Sequence, residues 1–515
     1  MSSDSLGFIA ALDIGTTTLR CQIIDHKGEC KGASFDKINL LYPDSKSVEI
    51  FPDELWKATI DVVKMAIKNA DISVGEVRSL AISSQRATFV TWRKDTGETL
   101  HNFITWKDLR AANITEQINS SWKMAALHTG SSVAHFLSRQ IKFGIVANLK
   151  FTCSHVTPRL LWLFQNNQDV RDALSSQNLQ FGTIDTWLVY KLTSGKTYVT
   201  DISNASATGL YDPFSLCWGI IPKYFNIPLS ILPPVVDNDF DFGETCSDIF
   251  GVPVKIGTVV SDQSAAMFGT LSHNEGDVKL TLGTGAFLNV NTGKGIKEAG
   301  KGVYPLVGWR IKGNGVYLNE VACSDAGSSV QWLFKIGLIS NVSELSNLID
   351  KTKDNGGVYF VPAFSGLGPP INDECAASGF IGIGASTRKE HLIRAVLESI
   401  VYRTVLAYNL FDNKKLQNII VDGGVSGSDF ICQLLADLTG VKVRRANEEM
   451  STLGAAYLAG LNCGFWANSE EVRAIAKDGN VFKPTMSEKV LKSAVEKLEK
   501  WRKAAERFMH WYDSK

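Results

Sequence analysis

Asp13, Gly15 and the hydroxyl run Thr16, Thr17, Thr18 crowd into one short stretch. A glycine lets the backbone come close to a phosphate, and hydroxyls and N–H groups can donate to its oxygens. Asp13 at a strand end could hold Mg²⁺ through water. The plainer alternative is a polar turn. Gly283-Thr284-Gly285 offers the same chemistry later in the chain. Two such bends, one in each half, point to a nucleotide gripped across a cleft. Asp262-Gln263 lies in VVSDQSAAMFG (259–269). A carboxylate between an apolar strand and a small-residue helix suits a general base or metal partner, and equally an N-cap. Gln85-Arg86 and Trp106 stand at strand ends. Such an arginine can donate to a hydroxyl or phosphate, and the tryptophan can wall a small carbon skeleton. A surface salt bridge and a core aromatic are their ordinary alternatives. No Gly-x-x-x-x-Gly-Lys-Ser/Thr run occurs, which removes the common P-loop. The eight histidines form no ligand spacing.

These residues need elements to hold them. Phe8 to Leu12 and Leu19 to Ile24 read as two strands around the first bend, a β-hairpin. A helix is predicted over 53–70, with Leu55, Trp56, Ile60, Val63 and Ile67 at helical spacing. Strands follow at 77–83 and 88–93, with a turn at Asp95-Thr96-Gly97. Strands alternating with helices imply an α/β fold. The hairpin pattern returns at 278–293, so the chain reads as two similar lobes joined near 270–278, with 272–276 as polar connector. A third turn, 421–428, follows a strand and opens a helix, leaving N–H groups ready for an anion or a nucleotide edge. The last helix is predicted over 488–512, with a stripe of Leu491, Val495, Leu498, Trp501, Ala505, Phe508 and Tyr512. Residues 131–150 stand apart: apolar and basic, without an acidic residue, patterned for an amphipathic helix.

Composition narrows the classes. Among 515 residues, 44% are hydrophobic and 21% charged, ordinary for a globular chain of two to four domains. Lys plus Arg and Asp plus Glu are both 53, so no overall electrostatic footprint marks a nucleic-acid binder. No apolar run is long enough for a membrane span, and the first residues read as a strand rather than a signal peptide. Nine cysteines, an odd number with no two three apart, fit a reducing compartment.

The segments LDIGTTTLR, SSQRATFVTW, FITWKDLR, GTIDTWLVYKLT, VTDISNASATGLYD, SDQSAAMFG, LTLGTGAFLNVNTG, VPAFSGLGPP, VDGG and STLGAAYLAGLNCGFW run in the order of the FGGY carbohydrate kinases. The chain resembles the glycerol kinases among them, most closely a divergent animal branch, and 378–398 fits the family's second signature. The resemblance implies the two-lobe actin/hexokinase/Hsp70-like, ribonuclease H-like α/β fold with an interlobe cleft. It places an acceptor and phosphate lobe at 1–271, with 131–150 as an insert, and a nucleotide lobe at 272–515. It implies ATP-dependent phosphorylation of glycerol to glycerol 3-phosphate in the cytoplasm, with ATP and Mg²⁺. By position it makes Asp262 the catalytic base and Asp13 the metal residue. Thr16, Thr17, Thr18, Thr284, Gly327, Gln331 and Gly424 match nucleotide and phosphate contacts. Arg20, Arg86, Trp106, Asp262, Gln263 and Phe287 match substrate contacts.

The departures fall on the acceptor side. Ala87 stands where a glutamate follows the acceptor arginine, and Ser154 stands where a tyrosine is expected. Weaker glycerol binding and room for a larger polyol are the expectation. A kinase for another small polyol or sugar is one alternative. A nucleotide-binding regulatory pseudokinase acting through partners is the other. A homo-oligomer stays open, as does a protein partner at 131–150.

Overall fold

The computed structural model describes residues 7–512 apart from 299, 301, 324, 342–343, 412–415, 447–448 and 478. Two mixed sheets organise it on one plan. In the first, Phe8–Ile14 pairs antiparallel with Thr18–Ile24, and Cys30–Lys37 lies beyond it. On the other side Phe8–Ile14 runs parallel to Val77–Ser84, which runs parallel to Ile256–Ser261. In the second, Val278–Leu282 pairs antiparallel with Ala286–Gly293, followed outward by Asn314–Cys323 and Tyr304–Ile311. Its other side is parallel to Asn418–Asp422, then Lys442–Arg445. Both expected hairpins are therefore present, each at the turning point between antiparallel and parallel halves of a sheet.

Register decides what the loops can meet. Ile14 lies opposite Ser84, and Ser84 opposite Ser261. The Gly15–Thr17 bend, Gln85-Arg86 and Asp262 thus leave the first sheet at one edge. Thr281 lies opposite Asp422, so the Gly283–Gly285 bend and Gly423 leave the second sheet together. Carboxyl ends of parallel strands are where α/β sheets take ligands.

Strand alternation sets the layers. Ala10, Leu12 and Ile14 share a core with Leu55, Val62, Val63 and Ala66 of the helix Pro52–Asn69. Ile9 and Ala11 share another with Leu453 and Ala456 of the helix Met450–Asn462, which crosses back from the second half of the chain. This helix meets Asp262–Gly269 backbone to backbone. A Cβ at Gly454 would collide with the Ala265 carbonyl, and one at Gly269 with that of Met450. A third sheet, with Phe89–Arg93 between Phe103–Ile104 and Leu179–Thr183, carries Trp106 just past its edge.

Two expectations change. The last helix is Glu488–Arg507. Its buried face is Ala494, Leu498, Trp501, Ala504 and Ala505, while Val495 is exposed. A stripe drawn through the larger apolar side chains missed the alanine at the inner position. The 131–150 segment is not one helix. It is the end of Trp122–Ser138 and the short helix Ile141–Val146, divided at Arg139, which takes a left-handed φ of 56°.

Candidate active site

Asp13 lies one residue before the end of its strand, on the same face as Ile9 and Ala11. That face looks to the helix Met450–Asn462, whose Ser451 hydroxyl donates to Asp13 Oδ2 at 2.8 Å. Ser83, from the neighbouring parallel strand, donates to Oδ1 at 2.7 Å. Arg20, the cross-strand partner of Asp13, brings Nε only to 4.0 Å and pairs instead with Glu449. Arg20 thus bridges Asp13 and Glu449, from the second half of the chain. Burial raises the Asp13 pKa, and the two serine bonds and Arg20 only partly oppose it. This buried carboxylate, with Arg20 Nε standing off at 4.0 Å, is chemically suited to a divalent ion.

Asp262 is the first residue of its helix, after Ser261 at the N-cap position. Oδ1 accepts the Gln263 N–H at 2.7 Å. Burial pushes its pKa up to about 6; Arg86 opposes the rise and the charge of Asp13 adds to it. Ser261 is held from below, because its N–H donates to Ser203 Oγ at 2.8 Å and Ser203 in turn donates to buried Asp201. Asp201 also caps the helix Ile202–Ser206. Sequence reading gave Asp201 no role of its own, and its signal was the polar run TDISNAS.

Arg86 joins the two halves. Its Nη2 donates to both carboxylate oxygens of Glu320 at 2.8 and 2.7 Å, and its Nε lies 3.8 Å from Asp262 Oδ1. Its guanidinium carbon sits 5.9 Å from the Phe287 ring centre. Phe287 in turn meets Trp106 edge to face at 6.0 Å. Trp106 donates its indole N–H to Thr16 Oγ1 at 2.9 Å. Arg86, Trp106, Phe287, Thr16 and Asp262 therefore form one connected cluster of two aromatic rings, a hydroxyl and a guanidinium beside a carboxylate. Gln263 faces elsewhere: its amide oxygen accepts from Thr281 at 3.0 Å, beside the buried Lys279–Asp422 ion pair at 3.1 Å.

Glu320 went unpredicted because its strand lies 234 residues from Arg86. At Ala87 the backbone takes a left-handed φ of 59°, and the side chain joins the apolar cluster of Phe89, Ile104, Val156 and Leu160. The methyl group thus belongs to that core. The buried Arg159 donates to the carbonyls of Ala87, Ile104, Thr105, Ser154 and His155. One guanidinium therefore ties together the loops that carry Arg86, Trp106 and Ser154.

Three turns meet on the second sheet's edge. The N–H of Gly327 donates to Gly283 O at 2.8 Å and that of Ser328 to Thr284 O at 3.1 Å. A Cβ at Gly327 would strike the Gly283 carbonyl, and one at Gly423, where φ is 88°, the Leu282 carbonyl. Thr284, Gly327 and the Gly423-Gly424 turn are thus packed backbone to backbone, with Thr284 itself exposed. Gln331, also exposed, stands one turn along the helix Gly327–Lys335. Thr17, on the first bend, is exposed, while Thr18 begins the returning strand. Among the described residues no helix is long and apolar enough to cross a membrane.

The FGGY family of carbohydrate kinases matches this chain with its N-terminal domain over residues 8–269 and its C-terminal domain over 278–463. Glycerol kinase 5 of Mus musculus is 44% identical over 511 residues, covering 98% of this chain and 95% of the relative. Glycerol kinase 2 of Thermotoga maritima is 36% identical over 510 residues, covering 98% and 99%. The crystal structure of Plasmodium falciparum glycerol kinase with ADP superposes with a TM-score of 0.85 at 26% identity, covering 97% of this chain and 98% of that one.

Proposed function

We propose, for a chain that belongs to the FGGY family of carbohydrate kinases and is thereby a phosphotransferase with an alcohol acceptor, that it uses ATP to phosphorylate glycerol to glycerol 3-phosphate. The observation that carries this reading is the cluster that brings Asp262, Arg86, Trp106 and Phe287 together. Asp262 takes the proton of a terminal hydroxyl as its oxygen attacks the γ-phosphorus, and ADP leaves with the electrons of the broken P–O bond. Arg86 orients the acceptor hydroxyls, Trp106 and Phe287 flank the carbon chain, and Glu320 fixes the guanidinium fork. Gln263 and Arg20 act from behind, through Thr281 and through Asp13. The bends at 15–18 and 283–285, with Gly327, Gln331 and Gly424, hold the nucleotide. Asp13 would hold Mg²⁺, which when bound neutralises charge on the phosphates. The lobes divide at 271/272, with Met450–Asn462 crossing back, and the cytoplasm is the place of action.

The acceptor is tested by comparing glycerol with longer polyols and ketose sugars at saturating ATP. Glycerol is expected to give the highest kcat/KM. A five-carbon polyol or sugar outperforming it would reassign the substrate and leave the chemistry standing. Glu320→Gln weakens the charge-assisted pair in which Arg86 Nη2 donates to both carboxylate oxygens. A hydrogen bond to a charged group contributes about 1.5–3 kcal/mol, so half-saturating glycerol is expected to rise roughly 10–150-fold. An unchanged value would place Glu320 outside acceptor binding. On the nucleotide side, Gly327→Ala forces the 283–285 bend to shift. Overpacking costs about 1–3 kcal/mol, so ADP affinity measured by calorimetry should fall roughly 5–150-fold. Unaltered affinity would remove this turn from the nucleotide site.

A further inference from the structure

Among the described residues, one face of the helix Trp122–Ser138 is left exposed. Trp122, Ala126, Thr129, Val133, Phe136 and Leu137 fall at i, i+4, i+7, i+11, i+14 and i+15, so they line one side of a helix about 25 Å long. Trp122 is 77% exposed, Val133 53%, Phe136 68% and Leu137 75%. Its opposite side is anchored. Met124 is buried with Ile118 and Phe151, and the His128 ring bonds the Leu149 carbonyl at 2.9 Å. The helix Ile141–Val146 folds back against it, with Gly144 close to the His135 ring. The exposed stripe is therefore fixed in place by a tethered helical pair.

Its electrostatic surroundings are one-sided. Residues 117–168 contain no Asp or Glu. Lys123, Arg139 and Lys142 are exposed and make no carboxylate pair among the described residues, whereas Lys150 pairs with Glu374 and His135 faces Glu298. The Arg139 guanidinium lies 5.4 Å from the Phe136 ring centre and the Lys142 ammonium 4.9 Å from that of Phe143. Cations thus flank the apolar stripe at both ends.

We propose that this face docks on an anionic lipid surface, the apolar stripe entering the interface and the three cations meeting lipid headgroups. A second copy of the chain would bring like charges together. The stripe is a convex ridge, which a deformable bilayer accepts without a matching groove, and Trp122 is a residue type favoured at the interfacial level. The helix lies on the membrane and does not cross it.

The test is flotation of the purified full chain with vesicles of phosphatidylcholine alone or with about 30% phosphatidylserine. Binding is expected only to the anionic vesicles and is expected to be lost at high salt. Each cation near such a surface contributes about fivefold. The triple variant Lys123→Gln, Arg139→Gln, Lys142→Gln should therefore bind roughly a hundredfold more weakly. Trp122→Ser with Phe136→Ser should bind weakly as well, and both variants should keep the parent's turnover and melting temperature. Failure to float with anionic vesicles overturns the proposal, as does flotation that survives both variants. A concentration-dependent dimer abolished by the stripe variant would also overturn it and assign the face to a second copy.

Discussion

Asp262→Asn should lower turnover by about 100- to 10,000-fold, the usual worth of a positioned general base. The substitution keeps size and polarity, and the Asn oxygen can still accept the Gln263 N–H that Asp262 accepts at 2.7 Å. Nucleotide affinity should change little, because the near-isosteric change leaves the 15–18 bend in place and Thr284, Gly327 and Gly424 gather at the second sheet. The pH profile supplies a second reading. Burial pushes the Asp262 carboxyl up to about 6, with Arg86 opposing. A base works only when ionised. The rate should therefore be full above the folded pKa and fall about tenfold per pH unit below it. In the Asn variant that limb should vanish. Full turnover in Asp262→Asn would make the residue no more than an acidic group in the first turn of its helix, where it favours the dipole.

Arg159→Met should be the most destabilising single change in the acceptor half. Arg159 is fully buried, and burial pulls its pKa down to about 9, so it is still a cation at neutral pH. It donates to five backbone carbonyls and, among the described residues, to no carboxylate. Methionine fills much of the volume and removes a donor from each of those carbonyls, of which Thr105 O keeps the Asp108 N–H. Each unsatisfied buried polar group costs about 1–3 kcal/mol, and relaxation recovers part of the sum. A loss of about 3–5 kcal/mol is expected, read as a large drop in melting temperature. Arg159→Lys keeps the charge with fewer donors and should fall between. Its half-saturating glycerol should rise more than its kcat falls, because the loops of Arg86 and Trp106 slacken while Asp262 is held separately through Ser261 and Ser203. Normal melting of the Met variant would show that water takes over the carbonyls.

The sequence disclosed what is local. Gly-Thr bends interrupt strand alternation, so both hairpins could be read directly, and Asp262 showed as a charge between an apolar strand and a run of small residues. What needed the structure is non-local. Glu320 reaches Arg86 only because a strand of the second half lies beside the segment that follows Val77–Ser84. Arg159 looked like one more basic residue until its five carbonyl partners came from three loops. Ala87 read as a vacancy beside the acceptor, yet its left-handed backbone places the methyl in a core. Gln263, adjacent to Asp262, looked like its partner at the acceptor, but successive helical residues project some 100° apart, and Gln263 points to Thr281. Ala494 was passed over because a stripe of large side chains was easier to see than the alanine that faces the core.

Acceptor-dependent release of ADP by the purified protein tests the central reading most directly. With ATP and Mg²⁺ present, added glycerol should raise ADP formation far above the acceptor-free rate. Glycerol 3-phosphate should appear mole for mole with ADP, and Asp262→Asn should abolish both. Tight nucleotide binding with no rise in ADP on addition of glycerol or any small polyol or sugar would contradict it, and would make the chain a nucleotide-binding regulator on a kinase fold.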